Sequence, residues 1–365
     1  MIRRFLHMVD ICYKPGPLSH SHRLRLIDPS ALFYPKDKED ALPLDRAAAA
    51  VEDARLPRTT MVFRPPGTPG TGTVLWMEMM RRNDDKIVTV DQTGRGILYD
   101  PATHIVRALP AMTTPKFYTL SLAVGNDLYV MEMTPHPDSD ERPKRSFEAL
   151  IHCDERHKSG IRKKEGDDCF WRPLPPPPYV HAAGYRGLGA GEICGYAVVG
   201  DSHILISTLT YGTYSFDTAS AAWTKAGDWK LPFRGHAVFV PEHGLWFGLS
   251  AADDGTLGAW DLSSTVQQQQ QPPLVAHGRC NGFTLPEAHA SHVVHLGAGN
   301  LCVAKLFLMI FQREIYNSVF DWDQRDFAML TGVEVVRGRG DKLHIIKHKS
   351  CRYTFGEHYT PVSVL

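Results

Sequence analysis

The residues best suited to chemistry in this chain are histidines and acids at strand-compatible spacings. Extended backbone puts alternate residues on one face, so His20 and His22 stand together, as do His344 and His348. A metal site needs a third ligand, and the sequence marks none, so these read as structural or surface histidines. His292 and His295 lie three apart and point to opposite faces of a strand. Asp321, Asp323 and Asp326 resemble part of a calcium loop. That loop needs Gly at its sixth position and Glu at its twelfth, where Asp326 and Gly332 stand. They read as turn and surface acids.

Gly187, Gly189, Gly191 and Gly195 form a glycine-rich stretch, but Glu192 occupies a position where a dinucleotide fingerprint needs Gly. The stretch reads as a flexible loop. No phosphate-cradling loop and no nucleophile elbow occur. Cys194 and Cys302 sit beside strand-like runs and read as buried, inert thiols. Arg162, Lys163 and Lys164 lie among acids and read as a solvated loop. No catalytic, cofactor-binding or metal-binding residue is assigned, and no cofactor is expected. Trp223, Trp246, Trp260 and Trp322 read as packing residues; Trp229, between two strand runs, is the candidate partner contact.

Composition narrows the class. The 365 residues are 43% apolar and 22% charged, which excludes a disordered chain. Lys plus Arg and Asp plus Glu number 40 each, so no basic excess points to nucleic acid. Seven cysteines without a CxxC pair fit neither a zinc module nor a disulfide framework. A reducing, intracellular setting is expected, in cytoplasm or nucleus. The N-terminus lacks a signal-peptide core. The longest apolar run, Leu306–Phe311, is far short of the roughly 20 residues that span a bilayer, so no membrane association is expected.

The elements that must position these residues are short strands. An apolar residue, an Asp and a second apolar residue recur at Ile27-Asp28, Tyr99-Asp100, Phe216-Asp217, Trp260-Asp261 and Phe320-Asp321, with a degenerate copy at Cys153-Asp154. The partners are Tyr34, Val106, Trp223, Val266 and Phe327, with Phe170-Trp171 for the last copy. Such a unit is a hairpin: Asp accepts backbone N–H groups in the turn, and the flanking apolar residues pack together. Turn residues before apolar runs give six further signals, at 83–85, 125–127, 200–201, 242–244, 299–300 and 340–341.

Six units of about four strands predict an all-β fold, a six-bladed β-propeller as one domain over 1–365, with seven blades as the alternative. Strands at 342–346 and 351–355 leave a blade incomplete, and strands at 5–9 and 23–27 are expected to complete it. Residues 44–55 are rich in helix formers and predict a short helix. Residues 134–168 are expected to be a mobile loop insertion, 267–273 a low-complexity loop, and 174–178 a stiff connector.

The runs Gly195–Ile206, Gly227–Phe233, Val240–Ser250 and Asp341–Phe355 resemble a plant family expanded in cereals, classed as a domain of unknown function. Its members look kelch-like and sometimes carry F-box-type labels. The resemblance implies a propeller and no established activity. Phe216 and Trp223 match the kelch aromatic spacing, whereas Gly200-Asp201 replaces the kelch double glycine. The 44–55 segment is too short for an F-box. The expected function is protein or peptide binding without catalysis. The alternatives are substrate recognition for a ubiquitin ligase and an enzyme site in the central channel.

Overall fold

Asp side chains close turns at strand ends, as the repeat requires. Asp100 Oδ1 accepts the backbone N–H groups of Ala102 at 2.9 Å and Thr103 at 3.3 Å. Asp217 accepts that of Ala219 at 3.0 Å and Asp28 that of Ser30 at 2.9 Å. The flanking pairs form at two sites: Tyr99 stands opposite Val106, and Phe216 opposite Trp223. At Asp28 the turn instead opens a 3-10 helix, Pro29–Leu32.

The computed structural model describes residues 5–13, 20–35, 51–65, 76–137, 146–152, 169–187, 189, 191–252, 255–266, 274–277, 288–316, 319–338 and 342–365. Two compact units result, one from 1–74, 232–261 and 274–365, the other from 75–231 and 262–273. The described residues are all-β, with 3-10 turns and no α-helix.

The first unit begins with β1 (Leu6–Tyr13), β2 (His20–Ile27), β3 (Val51–Ala54) and β4 (Thr59–Phe63). The second unit is a series of antiparallel meanders. β5 (Met77–Arg81), β6 (Ile87–Asp91), β7 (Gly96–Asp100) and β8 (Ile105–Ala108) pair in chain order. So do β9 (Thr119–Val124), β10 (Asp127–Glu132), β11 (Phe147–His152) and β12 (Cys169–Pro173). β13 (Ile193–Val199), β14 (His203–Thr208), β15 (Thr213–Asp217) and β16 (Ala222–Gly227) repeat the pattern.

The first unit resumes with β17 (Phe233–Val240), β18 (Leu245–Ser250), β19 (Leu257–Asp261) and β20 (Leu274–His277), again a meander. β21 (Ala290–Gly297) and β22 (Asn300–Phe307) follow, then the separate hairpin of β23 (Ile310–Tyr316) and β24 (Val319–Gln324). β25 (Phe327–Arg337), β26 (Leu343–Thr354) and β27 (Tyr359–Val364) close the chain. One sheet runs β21-β22-β25-β26-β3; another runs β27-β1-β2-β4, joining the C-terminal strand to the N-terminal ones.

Strand alternation supplies each core. In the second unit, Leu122, Met131, Phe147, Ile206 and Phe216 pack together, and Phe147 meets Phe216 edge-on at 4.9 Å. Val88, Leu98, Leu128, Leu150 and Trp171 form another cluster. In the first unit, Leu6, Met8, Leu296, Leu330 and Tyr353 form one cluster and Phe247, Leu257, Val303 and Val333 another. Each such side chain contributes roughly 1.5–3 kcal/mol by leaving water.

Several expectations change. The termini do share a sheet, but its C-terminal member is Tyr359–Val364, and 343–354 is one long bulged strand of a different sheet. The strands that flank 299–300 and those that flank 339–341 therefore belong to the same sheet. Val51–Ala54, expected at the end of a helix, pairs in parallel with Ser350–Tyr353; β-pairing overrides a weak helix propensity. Residues 44–50 of that expected helix lie outside the described residues. Residues 134–168 contain β11, whose Phe147–Leu150 are buried: an apolar run pairs rather than loops out. Residues 138–145, 153–168 (with Arg162–Lys164) and 267–273 lie outside the described residues. Trp260 pairs with Val275 rather than Val266, because Ser263–Val266 is a 3-10 turn. Phe320-Asp321 lies in the β23–β24 hairpin, not in a turn toward Phe327. No helix among the described residues is long and apolar enough to cross a membrane.

Candidate functional site: an exposed aromatic patch

Trp76 precedes β5, where alternation turns Met77 and Met79 inward and leaves Trp76 and Glu78 on the outer side. Trp76 Nε1 donates to Glu78 Oε1 at 3.2 Å, and the Trp76 backbone N–H donates to Gln92 Oε1 at 3.2 Å. Glu78 also accepts from the backbone of Tyr118 and from both backbone and side chain of Thr119. It thus ties the start of β5 to the connection between β8 and β9. Burial pushes its carboxyl above the ordinary range, against the pull of those hydrogen bonds.

That connection is held from beneath. Lys116 is buried and its Nζ reaches Glu148 Oε1 at 2.6 Å. The next two residues face outward, Phe117 51% exposed and Tyr118 84% exposed; Trp76, 36% exposed, shares Glu78 with the Tyr118 backbone. Tyr118 has φ 49°, a left-handed conformation that a bulky residue adopts at a cost. Its carbonyl accepts the Met133 N–H at 2.7 Å, which holds the turn in place. Two exposed aromatic side chains on a braced turn, with Trp76 tied to the same turn through Glu78, offer stiff contact area with little entropy to lose on binding.

The residues expected from sequence lie elsewhere. Trp229 is half-buried; its Nε1 is turned inward and its indole folds over Gly227, while its carbonyl accepts the Thr213 hydroxyl at 2.7 Å. Trp246 and Trp260 are buried packing residues, and Trp223 Nε1 donates to Pro175 O at 2.9 Å. The side chains of His20, Asp321, Trp322 and Asp323 lie outside the described residues.

His344 and His348 do not share a face. The bulge between Thr331 and Val333 leaves His344 exposed and turns His348 inward. There His348 Nδ1 accepts the Tyr34 N–H at 3.3 Å, and its Nε2 faces Glu334 Oε2 at 3.2 Å. His295 Nε2 lies 3.2 Å from Glu242 Oε2, whereas burial pushes His292 down to about 4. Asp326 is buried rather than a surface acid, accepting from Gln324 Nε2 and Thr360 Oγ1, each at 2.7 Å. In the glycine-rich stretch, the Gly191 carbonyl accepts the Tyr179 hydroxyl at 3.3 Å and Gly195 lies in β13. Cys302 is buried, and Cys194 Sγ donates to Ser207 O at 3.3 Å. Among the described residues no three His, Cys, Asp or Glu side chains could hold a metal ion.

The sequence matches the family described as protein of unknown function, DUF1668, over residues 3–353. The chain belongs to this family. It matches none of the curated proteins. The DUF1668 match covers every strand that carries the aromatic patch. Sequence reading passed over Trp76, Glu78, Phe117 and Tyr118. The available clue was an adjacent Phe-Tyr pair at the start of an alternating run, where both rings cannot face one core.

Proposed function

We propose that this DUF1668 protein is a protein- or peptide-binding module built as a six-bladed β-propeller, without catalytic chemistry of its own. The observation that carries the binding reading is the patch of Trp76, Phe117 and Tyr118, organised by Glu78. Aromatic residues of these types dominate the energy of protein interfaces. Near-zero net charge favours a protein partner over nucleic acid.

The propeller reading is supported by the repeated four-stranded antiparallel pattern and by the sheet that unites β27 with β1. That pairing covers β1 on both sides, between β27 and β2, and leaves β27 as the edge of its sheet. No disulfide joins two cysteines among the described residues, which suits a reducing compartment, cytoplasm or nucleus.

The test is affinity purification of the tagged protein in its native cells, beside a Trp76→Ala/Tyr118→Ala variant of unchanged melting temperature. A stoichiometric protein lost by the variant is the expected result. Partners retained equally by the variant, or none with the wild type, would overturn the reading.

A further inference from the structure

Cys169 opens β12 and stands directly opposite His152 at the end of β11. Its Sγ lies 3.6 Å from His152 Nδ1. Two guanidinium groups also reach the sulfur: Arg82 Nη1 at 4.0 Å, from the end of β5, and Arg107 Nη2 at 4.0 Å, from β8. Asp84 draws on Arg82 Nε at 3.1 Å and is itself shared with Lys86 Nζ at 3.1 Å. The Asp127 carboxylate accepts the His152 backbone N–H at 2.7 Å, which fixes the strand end that carries the imidazole. Asp168, next to Cys169 in sequence, lies outside the described residues.

The other described cysteines differ in their contacts. Cys194 donates to a carbonyl, which favours the neutral thiol. Burial pushes the Cys351 thiol up. Cys12 and Cys302 are buried. Reactive cysteines are those whose thiolate is stabilised by nearby positive charge and hydrogen-bond donors. Cys169 meets that condition on two sides, with an imidazole on a third. Cys169 is 3% exposed, whereas Arg107 is exposed and His152 half-buried.

We propose that Cys169 is a redox modification site, a thiolate that reacts with hydrogen peroxide. The thiol proton passes to His152 Nδ1, and Arg82 and Arg107 hold the resulting anion. The sulfur attacks one peroxide oxygen; an S–O bond forms and the O–O bond breaks. The departing hydroxide takes the proton from His152 and leaves as water. Sulfur is oxidised by two electrons to sulfenic acid and peroxide is reduced by two.

The purified full chain, treated with hydrogen peroxide and trapped with dimedone, tests this by site-resolved mass spectrometry. Cys169 is expected to label at least tenfold faster than Cys194, Cys302 and Cys351. Arg107→Gln, a change at an exposed side chain, is expected to slow labelling severalfold at unchanged melting temperature. Iodoacetamide alkylation of Cys169 is expected to reach its plateau at lower pH in wild type than in Arg107→Gln. Labelling of Cys169 no faster than Cys302, or equal rates in wild type and variant, would overturn the proposal. Fast labelling only in urea would do the same, marking an inert buried thiol.

Discussion

Lys116 and Glu148 form an ion pair almost wholly removed from water, Nζ to Oε1 2.6 Å, with side-chain exposures of 1% and 0%. The Thr113 and Thr114 backbone N–H groups complete the carboxylate, and Lys116 also donates to the Thr114 carbonyl. The pair ties β11 to the turn that carries Phe117 and Tyr118. Burial lowers the Lys116 ammonium despite Glu148 beside it.

Removing one member of such a pair strands the other. Lys116→Met is expected to cost about 3–5 kcal/mol in urea unfolding. The double variant Lys116→Met/Glu148→Gln is expected to lose clearly less, because no buried charge remains. A double variant as unstable as the single one would show that shape, not charge, sets the cost.

Lys305 presents the opposite case. It is 3% exposed on β22, its Nζ reaches the Gly255 turn, and no carboxylate among the described residues pairs with it. Burial alone lowers its pKa. Lys305→Met is expected to stabilise the fold by about 1–4 kcal/mol at neutral pH. Between the lowered pKa and the ordinary value of 10.5, the unfolded chain binds the proton and the folded one does not. Wild-type stability therefore gains on the variant as pH rises through that window. A gap between the two that is independent of pH up to 10.5 would count against the assignment.

His292 sets an acid limit. Its Nε2 is buried without a hydrogen-bond partner among the described residues, and burial holds the imidazole near 4, below its ordinary 6.5. The folded state therefore keeps the ring neutral where the unfolded chain protonates it. The associated stability is complete above about 6.5 and is lost as pH falls toward 4. Melting curves across that range should show a shallower slope in His292→Gln than in wild type.

Tyr118 separates folding from binding. Glycine relieves the left-handed strain at φ 49° but adds freedom to the unfolded chain. Tyr118→Gly is expected to leave the melting temperature within a few degrees of wild type. Under the proposed function it also weakens partner capture at least tenfold, as loss of an interface aromatic does. A variant that binds normally would remove Tyr118 from the interface.

Local chemistry was readable in the chain. The turns at Asp100 and Asp217, and the pairs Tyr99–Val106 and Phe216–Trp223, follow from residues a few positions apart. So does the all-β character, because alternation and turn residues act within one hairpin. Sheet membership was only partly readable. Residues 342–346 and 351–355 read as two strands of a closing blade, but 343–354 pairs as one bulged strand with β25 in another sheet. That bulge also separated His344 from His348, since one added residue reverses every later side chain.

The sites depended on contacts between elements far apart in sequence. Glu78 binds groups near 118, Lys116 meets Glu148, and Cys169 gathers Arg82, Arg107 and His152. Sequence determined the hairpins at Asp100 and Asp217, because hydrophobic alternation and Asx turns are short-range, whereas Val51–Ala54 became a strand only by pairing with Ser350–Tyr353. Tertiary structure alone decided which side chains are desolvated, stranded or pushed outward, because burial and charge pairing depend on what packs alongside.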